Sequence, residues 1–183
     1  MTTRERILHA VLRVIGTDGV AGVTNRRVAR EAEVSLGSIT YHFASQHELL
    51  REAMLLFVTE ETTRLAALAE QHPGTSLESA AALVEQVALH TRFGHKEIAP
   101  LELYLQAGRD PALRDAATEC FAAYDRIAVT VLTELGIAAP ERLAGPVVAL
   151  LTGMQLRRLA TGATGAAESM GIAEAMTMLV REH

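Results

Sequence analysis

The sequence predicts an all-α protein, and three observations carry that prediction. Its 183 residues include 31 alanines and only 5 prolines. Alanine is the best helix former and proline the strongest breaker, so this balance leaves room for long helices. Apolar residues recur at helical spacing along most of the chain. Capping residues open the periodic runs, and glycine or proline closes them. About nine helices and no strand are expected, three short ones within residues 1–43 and six longer ones after them.

The elements follow in order. Thr2-x-x-Glu5 is a capping box, and Ile7, Leu8, Val11, Leu12 and Ile15 follow it at helical spacing. Gly16 and Gly19 end that helix. Thr24 caps a second, short helix that buries Val28 and Ala29, and Ala32-Glu33-Val34 forms a tight connection. Ser35 caps a third helix that turns Ile39 and Phe43 inward. Ser45-x-x-Glu48 opens a long helix to about Gln71, which His72-Pro73-Gly74 stops. Thr75-x-x-Glu78 opens a fifth helix to about Arg92. The segment ending at Gly108 contains Pro100 and is expected to be short, kinked or split. Asp110-Pro111 starts a long helix that Gly136 closes, and Pro140 starts another to about Thr161. A last helix carries Ile172, Met176, Leu179 and Val180.

Composition bounds the function. A single cysteine, Cys120, forms neither an intrachain disulfide nor a cysteine zinc site. The N-terminus has no apolar signal region, and no run reaches the roughly 18 apolar residues of a membrane span. A cytoplasmic protein is expected. The net charge of −5 divides unevenly. Residues 1–50 carry six arginines against five acids, and the remainder is acidic. An acidic body behind a mildly basic head suits DNA binding through the head, although a solvated face gives the same pattern. There is no Glu-x-x-His pair, P-loop, GxGxxG or Gly-x-Ser-x-Gly, and no residue is assigned a catalytic or metal-binding role. No cofactor is expected.

Residues 24–50 carry the functional signal. Two short helices joined by three residues have the geometry of a helix-turn-helix. On the second helix Gly37 allows close backbone approach, and Ser38, Thr40 and Tyr41 offer hydroxyls to phosphates and base edges. Arg26 and Arg27 in the preceding helix are candidate phosphate contacts. The same pattern also fits an ordinary solvated helix.

The stretch Thr24–Leu50 resembles the DNA-binding head of TetR-type (tetracycline-repressor family) regulators. The resemblance rests on Val28-Ala29, Ala32, Val34-Ser35, Gly37-Ser38, Tyr41-His42-Phe43, Ser45 and Leu49-Leu50 at fixed spacing. It implies a DNA-binding domain over 1–46, with Thr24, Arg26, Arg27, Ser35, Gly37, Ser38, Thr40, Tyr41, His42 and Gln46 at the DNA, and a ligand-binding and dimerisation domain over 47–183. Three positions depart from the family pattern. Glu33 stands where glycine is usual, Thr40 where an aromatic is common, and Gln46 where a lysine is common.

The resemblance further implies a homodimer on a near-palindromic operator, most simply a repressor released by an unidentified small molecule. Phe93, Glu102, Tyr104, Phe121 and Tyr124 fall in the helices where the family places its ligand cavity, and they fit packed core equally well. Val148, Leu151, Gln155 and Leu159, with Met176 and Leu179, could form a seam between two chains or face their own core. The competing reading is a helical adaptor whose head binds protein rather than DNA.

Overall fold

The computed structural model of the chain describes residues 1–71, 95–162 and 178. Seven α-helices and one 3-10 turn form among the described residues, with no strand. The two further helices expected over 75–92 and toward the C-terminus lie outside them, apart from Met178, which is helical and exposed.

Helix α1 spans Thr3–Asp18 and opens on the expected box. Thr2 Oγ1 accepts from the Glu5 N–H, and the Glu5 carboxylate accepts from the Thr2 N–H. Gly16 is buried inside α1 rather than ending it. The helix stops at Gly19, whose φ of 71° falls where glycine alone is unstrained. A 3-10 turn at Val20–Gly22 leads to α2, Asn25–Ala32, capped by Thr24. Helix α3, Leu36–His42, is capped by Ser35 and ends at the buried, extended Phe43.

The turn between α2 and α3 is the one strained joint of the head. Glu33 adopts φ 54° and ψ 47°, left-handed backbone that disfavours any residue with a Cβ. The chain holds it there. The Val34 N–H reaches back to the Ala29 carbonyl at 3.0 Å. Arg6 donates to the carbonyls of Ala32 and Glu33 at 2.8 and 2.9 Å. Glu33→Gly should therefore raise stability, by about 1 kcal/mol, because left-handed backbone costs a non-glycine residue about 1–2 kcal/mol and glycine returns part of that through the unfolded chain. A denaturant midpoint that falls instead would show that the Glu33 side chain contributes more than its backbone loses.

Helix α4 runs Gln46–Gln71. Ser45 Oγ accepts from the Glu48 N–H, and the Glu48 carboxylate reaches the Ala44 N–H, one residue before the reciprocal partner the motif predicts. Helix α5, His95–Ala107, is continuous through Pro100. Its buried Ala99, Leu103 and Ala107 recur every fourth residue, and the helix packs on α1 and the 3-10 turn. That packing offsets the one backbone hydrogen bond the proline removes.

Helix α6, Pro111–Glu134, starts where Asp110 Oδ1 accepts from the Ala112 N–H, with Pro111 at the first helical position. Helix α7, Pro140–Thr161, also begins on proline and ends at Gly162 with φ 66°.

The chain forms two compact units. The first holds Met1–Glu60, α5, and α6 as far as Cys120. Its core is Ile7, Leu8, Val11, Val14 and Ile15 of α1, Val28 and Ile39 of the next two helices, Leu49, Ala53 and Met54 of α4, and Leu103 and Leu113. The second unit includes the later parts of α4 and α6, and α7. There Leu132, Leu143 and Val147 are buried together, with Ile137, Leu150, Leu151 and Met154 packed against them. No helix among the described residues is long and apolar enough to cross a membrane.

Candidate nucleic-acid interface

Helix α3 presents an exposed face, and a buried base holds it. Ile39 is 1 % exposed and Phe43 5 %. On the outer side lie Leu36, Gly37, Thr40 and Tyr41, all exposed, with Tyr41 at 84 %. Positions 36 and 40, and 37 and 41, stack one turn apart. The four therefore form one continuous face. Ser38 and His42 are half-buried at its margin, and the His42 ring meets the Tyr41 ring edge-on at 5.0 Å.

Hydroxyls on this helix have internal partners. Ser35 Oγ accepts from the Ser38 N–H at 3.1 Å and lies 2.9 Å from Ser38 Oγ. Thr40 Oγ1 donates to the Gly37 carbonyl at 3.2 Å. Gly37 is not required by the fold. A Cβ there would meet only Ser35 Oγ, at 3.7 Å, in helical backbone that any residue adopts.

The arginines of α2 divide by face. Arg27 donates through Nε to Asp18 at 3.0 Å and through Nη1 to Glu31 at 2.7 Å. Glu31 also accepts from Arg13 at 2.8 Å. Hydrogen bonds from Arg13, and next from Arg27, hold the Glu31 carboxyl below the usual carboxylate range, and the bond to Glu31 raises the Arg27 guanidinium. This network binds α2 to α1 and gives Arg27 intramolecular partners. Arg26 and Arg30 are exposed one turn apart, and neither has an ion pair among the described residues. Thr24 serves as the cap of α2, its hydroxyl accepting from the Arg27 N–H. Gln46, expected at the DNA, donates its side-chain amide to the Val23 carbonyl at 2.9 Å. It pins the start of α4 to the segment entering α2.

Two residues escaped sequence reasoning. Sequence reasoning assigns Leu36 to neither side of the helix, and it is 46 % exposed on the outer face. Arg30 looked like one more charge of α2, and only its lack of a carboxylate partner sets it apart.

The remaining expected site residues are placed separately. In the first unit Glu102 and Tyr104 of α5 are half-buried, and the Tyr104 hydroxyl oxygen is fully buried. In the second unit Phe121 and Tyr124 are half-buried on α6. Arg64 of α4, in that same unit, forks onto Glu61 at 2.6 and 2.8 Å and interacts electrostatically with Tyr124. Phe93, Met176 and Leu179 lie outside the described residues. On α7 Val148 is buried, and Leu151 packs on the Leu132–Leu143–Val147 cluster of its own chain. Leu159 is half-buried and Gln155 exposed. Cys120 is buried, and burial pushes its thiol up to about 12, so it stays a neutral, unreactive group. No group of three or more metal-ligating side chains occurs among the described residues.

Comparison with known proteins extends these observations over the whole chain. Residues 7–53 match the family described as bacterial regulatory proteins, tetR family. Residues 75–182 match the tetracyclin repressor-like C-terminal domain. The crystal structure of the multidrug binding protein EbrR complexed with imidazole is similar to this chain at 31 % identity and a TM-score of 0.76, over 98 % of this chain and 96 % of that one. A TetR-family member from Streptomyces coelicolor A3 is similar at 32 % identity and a TM-score of 0.76, over 98 % and 99 % of the two chains. The HTH-type transcriptional regulator PksA of Bacillus subtilis (strain 168) is 39 % identical over 66 residues, 36 % of this chain. That match spans 32 % of PksA's own length.

Proposed function

The chain belongs to the tetR family of bacterial regulatory proteins, and on that premise we propose that it is a homodimeric repressor, released from a near-palindromic operator by a small aromatic ligand. It is a DNA-binding transcriptional regulator with a ligand-binding domain. We propose that it works in the cytoplasm and catalyses no reaction.

The observation that carries the DNA reading is the exposed face of α3. A large aromatic, Tyr41, stands 84 % exposed on the same face as a glycine with open space around it, on a helix anchored by the buried Ile39 and the Phe43 that ends it. A rigid helix with one bare face suits insertion into the major groove. Arg26 and Arg30 are the proposed phosphate cations, since no carboxylate competes for them among the described residues. Thr24, Arg27 and Gln46 then act chiefly by fixing the head, and Ser35, Ser38 and His42 by shaping the margin of α3.

Support for the ligand class comes from EbrR, whose structures are described as complexes with ethidium and with proflavin. In this chain Tyr124 interacts with Arg64 of the Glu61–Arg64 pair in the second unit, and Phe121 is a second half-buried aromatic of that unit on the same helix. A ligand releases the operator only if it binds one spacing of the two heads better than the other.

The test uses the full chain on an operator selected from random duplexes. Ethidium, followed by its fluorescence, should bind the free protein, and a nonfluorescent aromatic cation should displace both ethidium and operator. Tyr124→Ala should shift that release curve at least severalfold while apo operator affinity stays within a few-fold. A Tyr124→Ala curve superimposable on that of wild type would remove Tyr124 from the ligand site.

A further inference from the structure

We infer that Leu36 is a specificity residue that packs on the C5-methyl group of a thymine, so that each operator half is chosen partly by an apolar contact. The inference rests on the DNA-binding reading and adds the base class to it.

Leu36 is the first residue of α3 and lies 46 % exposed, although its spacing from Ile39 and Phe43 would let a different packing bury it. An isolated exposed leucine is ordinary on a protein surface. This one shares a continuous face with Gly37, Thr40 and Tyr41, the face that meets the groove. The short hydroxyls of that helix have internal partners. The Ser35 and Ser38 hydroxyls bond each other, and Thr40 donates to its own helix. Each of these hydroxyls is short and held against its own helix, so it reaches less far from the face than Leu36. Leu36 and Tyr41 are the two large side chains left on the face, and the leucine has no polar atom. In the major groove only thymine presents a methyl group, so an aliphatic side chain there selects thymine by shape and burial. Gly37 beside it has no side chain to hold the helix away from the bases.

The experiment replaces each thymine of the selected operator, one at a time, with deoxyuridine, which lacks only that methyl. Affinity is measured for wild type and for Leu36→Ala. Burying one methyl-sized group shifts an equilibrium about fourfold. One thymine per half-site should therefore show about a fourfold loss for wild type, and about fifteenfold when both symmetric positions are changed. Leu36→Ala should bind the thymine operator more weakly by a similar factor and show no further loss at that position. Other thymines should respond alike in both proteins. Leu36 is exposed, so the variant should keep the wild-type melting temperature. If Leu36→Ala retains sensitivity at every thymine, or no thymine is sensitive, the leucine assignment is wrong and the DNA reading stands. If no duplex is selected, the DNA reading fails and this inference with it.

Discussion

Gly37→Leu should lose about a hundredfold or more in operator affinity, since displacing α3 removes base contacts worth about 1–3 kcal/mol each from both half-sites. The fold should tolerate the change. An added Cβ meets nothing closer than Ser35 Oγ at 3.7 Å, and the backbone at Gly37 is ordinary helix. A helical glycine costs about 1 kcal/mol relative to alanine, so Gly37→Ala should even raise the unfolding midpoint slightly while still weakening binding. Opposite signs in stability and binding identify a glycine kept for an external partner. Thermal unfolding and operator titration on the same preparations separate the two effects. A Gly37→Leu protein that binds its operator at wild-type strength would mean that α3 does not enter the groove.

Local signals explain how much was legible in the sequence. Capping boxes at Thr2 and Ser45, the Asp110-Pro111 start and the Gly136 stop each act through neighbours in the chain, and the helices begin and end where those residues stand. Glu33 is singled out by the family resemblance, which has glycine there, and its backbone is left-handed. What stayed hidden depends on partners remote in sequence. Pro100 does not break α5 because α1 packs along the buried Ala99–Leu103–Ala107 stripe. Arg27 looks identical to Arg26 until Asp18 and Glu31 are seen to take it. Leu36 has the spacing of a core residue and an exposed position. Periodicity says which residues share a face, not what covers that face.

The same limit governs which side of α7 would form the seam of the proposed homodimer. Val148 and Leu151 sit at helical spacing, but Val148 is buried and Leu151 packs into its own chain's cluster. A different stripe is open. Pro146, Ala149, Gly153, Leu156 and Ala160 are all exposed, at alternating intervals of three and four. That interval sustains a helix seam, and small residues let two helices approach closely. A Cβ at Gly153 would meet nothing within 4 Å, and Leu156 is 49 % exposed. We propose this stripe as the seam. Leu156→Glu should then give a folded monomer, because the charge is buried only when two chains meet. Operator affinity should fall about a hundredfold or more, the gain that linking two half-site contacts supplies. Leu151→Glu should behave differently. It places a carboxylate against Leu132, Leu143 and Val147, so the second unit should lose helix content and melt early. Light scattering at micromolar concentration, with circular dichroism on each variant, distinguishes these outcomes. A Leu156→Glu protein that remains dimeric would move the seam off this stripe, and a monomeric wild type would remove the dimer itself.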